Sequence, residues 1–167
     1  TDEDSARQCS PNQIIRGLTH NRGQLLEQIA SFEASGSTAG HLGTAWAWYT
    51  LSPNWNSIFN EGGGAVAYGK AKTKKIAVLM TDGEYNTYYA SGQGDSVAQA
   101  KALCDGMKAR GIEVYTVGFK LDSATAIATM QYCATSSSHY FEANNSEQLM
   151  NSFRQIAYRS VPLHLSR

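Results

Sequence analysis

The sequence predicts an α/β domain in which a mostly parallel, doubly wound sheet lies between two layers of helices. Two observations carry this prediction. Apolar runs typical of strands lie at 75–81 and 113–119, and stretches of helical periodicity lie at 97–107, 123–133 and 146–158, so that helices and strands alternate along the chain. Strands that are separated by helices favour parallel pairing through right-handed crossovers.

The composition is that of one globular domain. The chain has 167 residues, of which 42% are hydrophobic and 17% are charged, so it can bury a core and is not expected to be disordered. Its formal net charge of +0 excludes the basic field that non-specific nucleic-acid binding requires. The longest apolar run, 76–80, is far shorter than the roughly 20 residues that span a bilayer, so this segment is not expected to insert into a membrane.

The amino-terminal part is expected to begin with a polar leader, 1–12, and a weak strand, 13–18. Thr19 and Asn21 offer side-chain oxygens that can cap a helix, and the spacing of the next apolar residues predicts an amphipathic helix closed by Gly36. Those apolar residues are Leu25, Leu26, Ile29 and Phe32.

The middle of the chain leads to the clearest strand. A loop of small residues, 35–40, precedes a second predicted helix, 42–49, and the stretch 54–74 is predicted to be a surface excursion. The run 75–81 is expected to be a strand buried on both faces that ends at Asp82. Ligands of parallel sheets bind beyond the carboxyl ends of the strands, so chemistry is sought first at Asp82.

Three loops share features with enzyme signatures but do not complete them. The loop 64–71 has the spacing of a phosphate-binding loop, yet Ala71 stands where a Ser or Thr would hold magnesium. The loop 36–40 has the glycines of a nucleophile elbow, and 92–94 has two glycines of a dinucleotide fingerprint. A hydrolase or nucleotide-binding enzyme on a doubly wound sheet is therefore kept as an alternative, with no catalytic residue assigned.

We assign no binding or catalytic role to the histidines or to the clustered aromatic residues. The histidines are scattered and are interpreted as surface or capping residues; they are His20, His41, His139 and His164. The aromatic group around Pro53 is interpreted as packing under a loop, in preference to a carbohydrate platform; its members are Trp46, Trp48, Tyr49 and Trp55.

Thr38 and Asp82 form the candidate metal site. Asp82 follows the predicted central run directly, and Thr38 lies about one crossover earlier in a Gly/Ser loop. A hydroxyl and a carboxylate are oxygen ligands that a hard cation accepts. We expect the two side chains to approach each other at one edge of the sheet, in a shared shallow pocket.

These motifs resemble those of von Willebrand factor A-type domains. Gly-x-Thr at 36–38 and Thr-Asp-Gly at 81–83 are similar to the second and third parts of that family's metal-ion-dependent adhesion site (MIDAS). The resemblance is closer still to the carboxy-terminal domain of TadG-type pilus-assembly proteins of the bacterial tight-adherence system. It rests also on 42–53, 133–141 and 153–166, and it covers the chain from about residue 14 to the end.

The chain departs from the family at the first metal motif. The family opens with a central strand that ends in Asp-x-Ser-x-Ser, and this sequence contains no such motif. The resemblance therefore implies one von Willebrand A-like domain over 1–167 that lacks its first central strand and is incomplete at the amino terminus. Two of five expected ligands remain, Thr38 and Asp82, with Glu84 as an additional candidate, so binding of Mg²⁺, Mn²⁺ or Ca²⁺ by this chain alone is expected to be weak or absent.

The resemblance implies a non-catalytic protein-binding or adhesion module of a bacterial pilus-assembly protein. The partner would offer an acidic side chain to the metal or would be another pilus-assembly protein, with no nucleic acid involved. A metal-free structural scaffold is the alternative within the same fold. The implied location is the periplasmic or extracellular side of the cell envelope, with anchoring by a segment that precedes Thr1.

Cys104 and Cys133 are expected to form a disulfide. They lie in the helices on either side of the strand 113–119, and successive right-handed crossovers place such helices on one face of the sheet. Similar domains of the pilus-assembly family carry cysteines at both places, and an envelope location permits oxidation. Cys9 lies in the polar leader and is expected to be unpaired within this chain.

Overall fold

The computed structural model describes residues 14–33, 37–59, 61–90 and 92–160. Five α-helices and three strands occur there, in the order α1 (Arg22–Ala30), α2 (Gly40–Leu51), β1 (Lys75–Thr81), α3 (Ser96–Ala109), β2 (Ile112–Phe119), α4 (Ala124–Cys133), β3 (Tyr140–Ala143) and α5 (Ser146–Ser160). Single 3-10 turns occupy Pro53–Trp55, Glu61–Gly63 and Ser137–His139.

The three strands form one parallel sheet in the order β1-β2-β3. Lys75 lies opposite Ile112 at the start of the β1–β2 ladder, and Thr81 lies opposite Gly118 at its end. Each crossover runs through a helix, which confirms the predicted parallel α/β arrangement. Within the described residues β1 is an edge strand, because only β2 pairs with it.

Helices cover both faces of the sheet. On one face α2, α3 and α4 pack over a core that includes Leu79, Met107, Val114 and Met130. On the other face α5 packs over β2 and β3, where Ile156 joins a second cluster. The layers place the ends of β1 and β2 at the same edge as the start of α4.

The Cys104–Cys133 disulfide is confirmed and joins α3 to α4. Both residues are buried within the larger core. The link follows from the topology, because α3 and α4 are successive crossovers on one face of the sheet. Cys9 lies outside the described residues.

The strand predicted at 13–18 is wrong for residues 14–18, which form neither strand nor helix. This segment is held instead by side chains of α1: the Gln28 amide donates to the carbonyl oxygen of Ile14 at 2.5 Å and accepts from Arg16 at 2.9 Å. α1 begins after its predicted cap Asn21 but ends at Ala30, and none of its residues is buried. A strand needs a neighbour to satisfy its backbone groups, and none of the described strands lies beside 14–18.

The expectation that β1 is buried on both faces is also wrong. Val78 and Met80 point away from the α2–α4 layer and are 38% and 47% exposed, since α5 lies over the neighbouring strands.

None of the described helices combines the length and the apolar character needed to cross a bilayer. The loop 64–71 contains no helix and leads into β1, so the arrangement of a phosphate-binding loop is absent there.

Candidate functional site

The candidate site lies where β1 ends and α2 begins. The amide of Thr38 donates to the side-chain oxygen of Asn86 at 3.1 Å. In return, the carbonyl oxygen of Thr38 accepts from the amides of Asn86 at 3.1 Å and Thr87 at 3.2 Å. Three hydrogen bonds therefore tie the loop before α2 to the loop that follows β1.

Tyr85 anchors the same pair of loops in the core. Its ring lies against Gly40, the first residue of α2, and its hydroxyl contacts the sulfur of Met130 in α4 at 3.7 Å. Burial raises the pKa of the Tyr85 hydroxyl above its ordinary value. Tyr85 thus acts as a neutral, packed side chain that holds the site against two helices.

A groove of about 450 Å³ runs beside β1 at this edge. Its walls come from the loop 37–39, from α2 and from β1, and they include Thr38, Gly43, Met80 and Thr81. Residues from both faces of β1 line the groove, so it follows the side of β1 that has no strand partner among the described residues.

The predicted site residues differ in how they are held. Thr38 is half-buried in the groove wall, and Asp82 is exposed directly after β1. The Glu84 carboxylate accepts a hydrogen bond from the hydroxyl of Ser123, the residue that caps α4. The structure joins the loop of Thr38 to the loop that follows Asp82, through Asn86 and Thr87. Asp82 is not among the residues that line the groove with Thr38. The approach of the two side chains and their role as metal ligands stay predictions.

The predicted ligands are of the chemical type that a hard divalent cation prefers, but there are too few of them to fill its coordination shell. Hydroxyl and carboxylate oxygens are the ligands that Mg²⁺, Mn²⁺ and Ca²⁺ prefer, and such ions take about six of them. In the part of the chain that the structure describes, no group of three or more His, Cys, Asp or Glu residues is arranged to hold a metal. Thr38 and Asp82, with Glu84 if it leaves Ser123, are the predicted ligands at this edge.

Sequence reasoning missed the residues that support the site. Asn86 and Tyr85 lie in the loop that follows β1, and no local pattern marks their contacts with Thr38 and Gly40. The interpretation of His41 as a surface or capping residue is wrong: it is 5% exposed and its Nδ1 is hydrogen-bonded to the Ser96 hydroxyl at 2.9 Å. Burial lowers the pKa of His41.

The comparisons agree with this architecture. The model of the von Willebrand factor type A domain matches residues 11–155. Similar solved structures include the pilus adhesin SpaC from Lactobacillus rhamnosus GG, with a TM-score of 0.62 and 14% identity. They also include proximal thread matrix protein 1 from the mussel byssus, whose MIDAS motif holds zinc, with a TM-score of 0.58 and 18% identity.

These matches concern the fold. They cover 85% of this chain and 21% of SpaC, and 87% of this chain and 33% of the mussel protein. The chain therefore spans between a fifth and a third of the length of those proteins. No curated protein matches the sequence.

Proposed function

Because this chain belongs to the von Willebrand factor type A domain family, we propose that it is a non-catalytic protein-binding module with a partial metal-ion-dependent adhesion site. The observation that supports the proposal is the junction of the two loops at the end of β1. The loop of Thr38 and the loop after Asp82 come from distant parts of the chain and are joined by three hydrogen bonds. Two segments that carry predicted ligands therefore meet at one edge of the sheet.

We further propose that the module serves pilus assembly or adhesion in a bacterial cell envelope. The TadG-type resemblance supports this, and so does the similarity in fold to a pilus adhesin. The Cys104–Cys133 disulfide supports the periplasmic or extracellular side of the envelope, because disulfides persist in oxidising compartments.

In the proposed mechanism, Thr38 and Asp82 would hold a divalent cation, and the cation would supply positive charge that binds an acidic side chain of the protein partner. The exposed Asp82 carboxylate would supply the negative charge for the cation. The hydrogen bonds between Thr38 and Asn86 keep the hydroxyl loop in position, so little ordering is needed on binding. Glu84 joins the ligands only when it gives up its hydrogen bond to Ser123.

Paramagnetic line broadening by Mn²⁺ tests this site, since it detects weak and local binding. We expect MnCl₂ to broaden the amide signals of residues 38, 82 and 86 first, with a dissociation constant well above micromolar because few ligands are present. Asp82→Asn should weaken the effect about tenfold, because it removes the carboxylate charge. The matched control is Asp105→Asn, an exposed aspartate of α3 that should leave the broadening unchanged.

Two outcomes would change the proposal. Broadening that is centred elsewhere, or that is unaffected by Asp82→Asn, would contradict the site. A micromolar dissociation constant would show that further residues complete it, and Glu84→Gln would then be the first variant to test.

A metal-free structural scaffold is the second candidate function. The observation that favours it is the engagement of Glu84 by Ser123, which leaves only two of the predicted ligands at the edge. Cross-linking to purified pilus-assembly components, with and without a chelator, separates the two functions. Cross-links that persist in the chelator support the scaffold, and cross-links that form only in its absence support the adhesion site.

A further inference from the structure

A second concave site lies at the opposite end of the sheet, beside the start of β1. It is a pocket of about 170 Å³ between the end of α2, the turn Pro53–Trp55, the loop that carries Tyr68, and Arg110. Its aromatic walls are Trp48, Tyr49, Trp55 and Tyr68, all half-buried. A cavity of about 150 Å³ holds one benzene ring, so this pocket has room for one six-membered ring.

The aromatic walls are preformed. Tyr49 and Trp55 are stacked with ring centres 4.2 Å apart and planes 12° apart. The Trp48 indole nitrogen donates to the Tyr68 hydroxyl at 3.0 Å, which leaves the Tyr68 proton available to a ligand. Trp48 also lies against Gly106, where a Cβ would be 2.4 Å from the ring. Rigid walls lose little conformational entropy on binding.

The described lining of the pocket contains one amide side chain, from Asn54, and one cation, from Arg110. Asn54 is exposed and contributes an amide, and the Arg110 guanidinium lies 5.6 Å from the centre of the Tyr68 ring. Lys75 approaches the same ring at 5.2 Å, but its ammonium is buried and donates to the carbonyl oxygen of Leu51. Arg110 is therefore the cation that can turn to a ligand, and in the described part of the chain it has no acidic partner.

Arg110 is the charged residue among the described residues that line the pocket. No acidic residue is among the described residues that line it. A guanidinium binds a carboxylate through two parallel hydrogen bonds, which favours a carboxylate-bearing ligand over a neutral one.

We propose that this pocket, formed by Trp48, Trp55, Tyr68 and Arg110, binds one uronic-acid residue of an acidic polysaccharide. Because Tyr49 and Trp55 cover each other's faces, the ring carbons of the sugar would pack against Trp48 and the open edges of the stacked pair. Its hydroxyls would bond to Asn54 and Tyr68, and its carboxylate would pair with Arg110. The site goes beyond the proposed adhesion function and lies at the other end of the sheet from Thr38. The aromatic group packs around Pro53 as the sequence predicts, with Trp46 against Tyr49 and Trp55. The proposal adds a ligand to the open side of this group.

Titration with a galacturonic-acid trisaccharide at low salt tests the proposal, with tryptophan fluorescence and the amide signals of residues 48, 55 and 68 as readouts. We expect saturable binding. Arg110→Gln should weaken it about tenfold or more, since the guanidinium and its two parallel hydrogen bonds to the carboxylate are lost. Arg110→Lys keeps the positive charge but cannot form the two parallel hydrogen bonds of a guanidinium, so it should give an intermediate affinity. Arg154→Gln, an exposed arginine of α5, is the matched control and should bind as the unchanged protein does.

Three results would overturn the proposal. One is equal affinity for a neutral galactose trisaccharide, which would remove the role of the carboxylate. Another is no saturable change with the acidic trisaccharide. The third is Arg110-dependent binding to vesicles of phosphatidylcholine and phosphatidylglycerol without binding of the trisaccharide, which would assign the patch to an anionic membrane surface.

Discussion

Gly40 and Tyr85 are in direct contact across the two loops of the candidate metal site. A Cβ built on residue 40 would lie 2.1 Å from the Cδ1 atom of the Tyr85 ring, a distance that no side chain can occupy. The absence of a side chain at Gly40 therefore lets the Tyr85 loop pack against the start of α2. Loop position, and with it the approach of Thr38 to Asn86, depends on this glycine.

Gly40→Ala should destabilise the domain by about 1–3 kcal/mol, because the added methyl group forces the Tyr85 ring out of its packed position. Urea unfolding measures the loss. Gly43→Ala is the matched control one turn later in α2, where an added Cβ meets no atom within 4 Å. That change should stabilise the helix by about 0.5–1 kcal/mol. Equal effects of the two substitutions would contradict the packing argument.

Reduction of the Cys104–Cys133 disulfide should lower the free energy of unfolding by about 3–4 kcal/mol in the chain-entropy model, given the separation of 29 residues between the two cysteines. Urea unfolding with and without a reductant measures the difference. Thiol counting under denaturing, non-reducing conditions should give one free thiol, from Cys9, or none if Cys9 is bound to another molecule. Three reactive thiols in freshly isolated protein would contradict both the disulfide and the envelope location.

Acid should destabilise the fold through His41. Burial lowers the pKa of His41 in the folded state, so the unfolded chain takes up a proton at higher pH than the folded chain does. Stability is therefore unaffected by this group above pH about 6.5, and it falls as the pH decreases below that value. Thermal unfolding at pH 7.5 and at pH 5.5 measures the effect.

His41→Gln removes the titrating group and keeps a side chain that can hydrogen-bond to Ser96, so it should reduce the loss of stability at pH 5.5. His20→Gln, at an exposed position, is the matched control and should keep the full pH dependence. An unchanged pH dependence in His41→Gln would show that other groups cause the acid sensitivity.

Local patterns in the sequence were sufficient for most of the secondary structure. The run Lys75–Thr81 is a strand with the predicted bounds, because its apolar residues and the following Asp-Gly turn are adjacent in the chain. Ser123 caps α4 and Asn21 caps α1, since a cap depends only on residues within one turn. The order of strands and helices likewise led to the disulfide, because the topology places α3 and α4 on one face.

Only the tertiary structure decided which surfaces are buried and which side chains meet. The exposure of Val78 and Met80 and the burial of His41 depend on which distant segments lie beside them. The hydrogen bonds between Thr38 and Asn86 and the pocket of Trp48 and Arg110 likewise join segments that are distant in the chain. The sequence by itself determined most of the elements, their order and the position of Asp82 at the end of β1. Their neighbours were set by long-range packing, whose free energy depends on contacts that no local pattern of residues encodes.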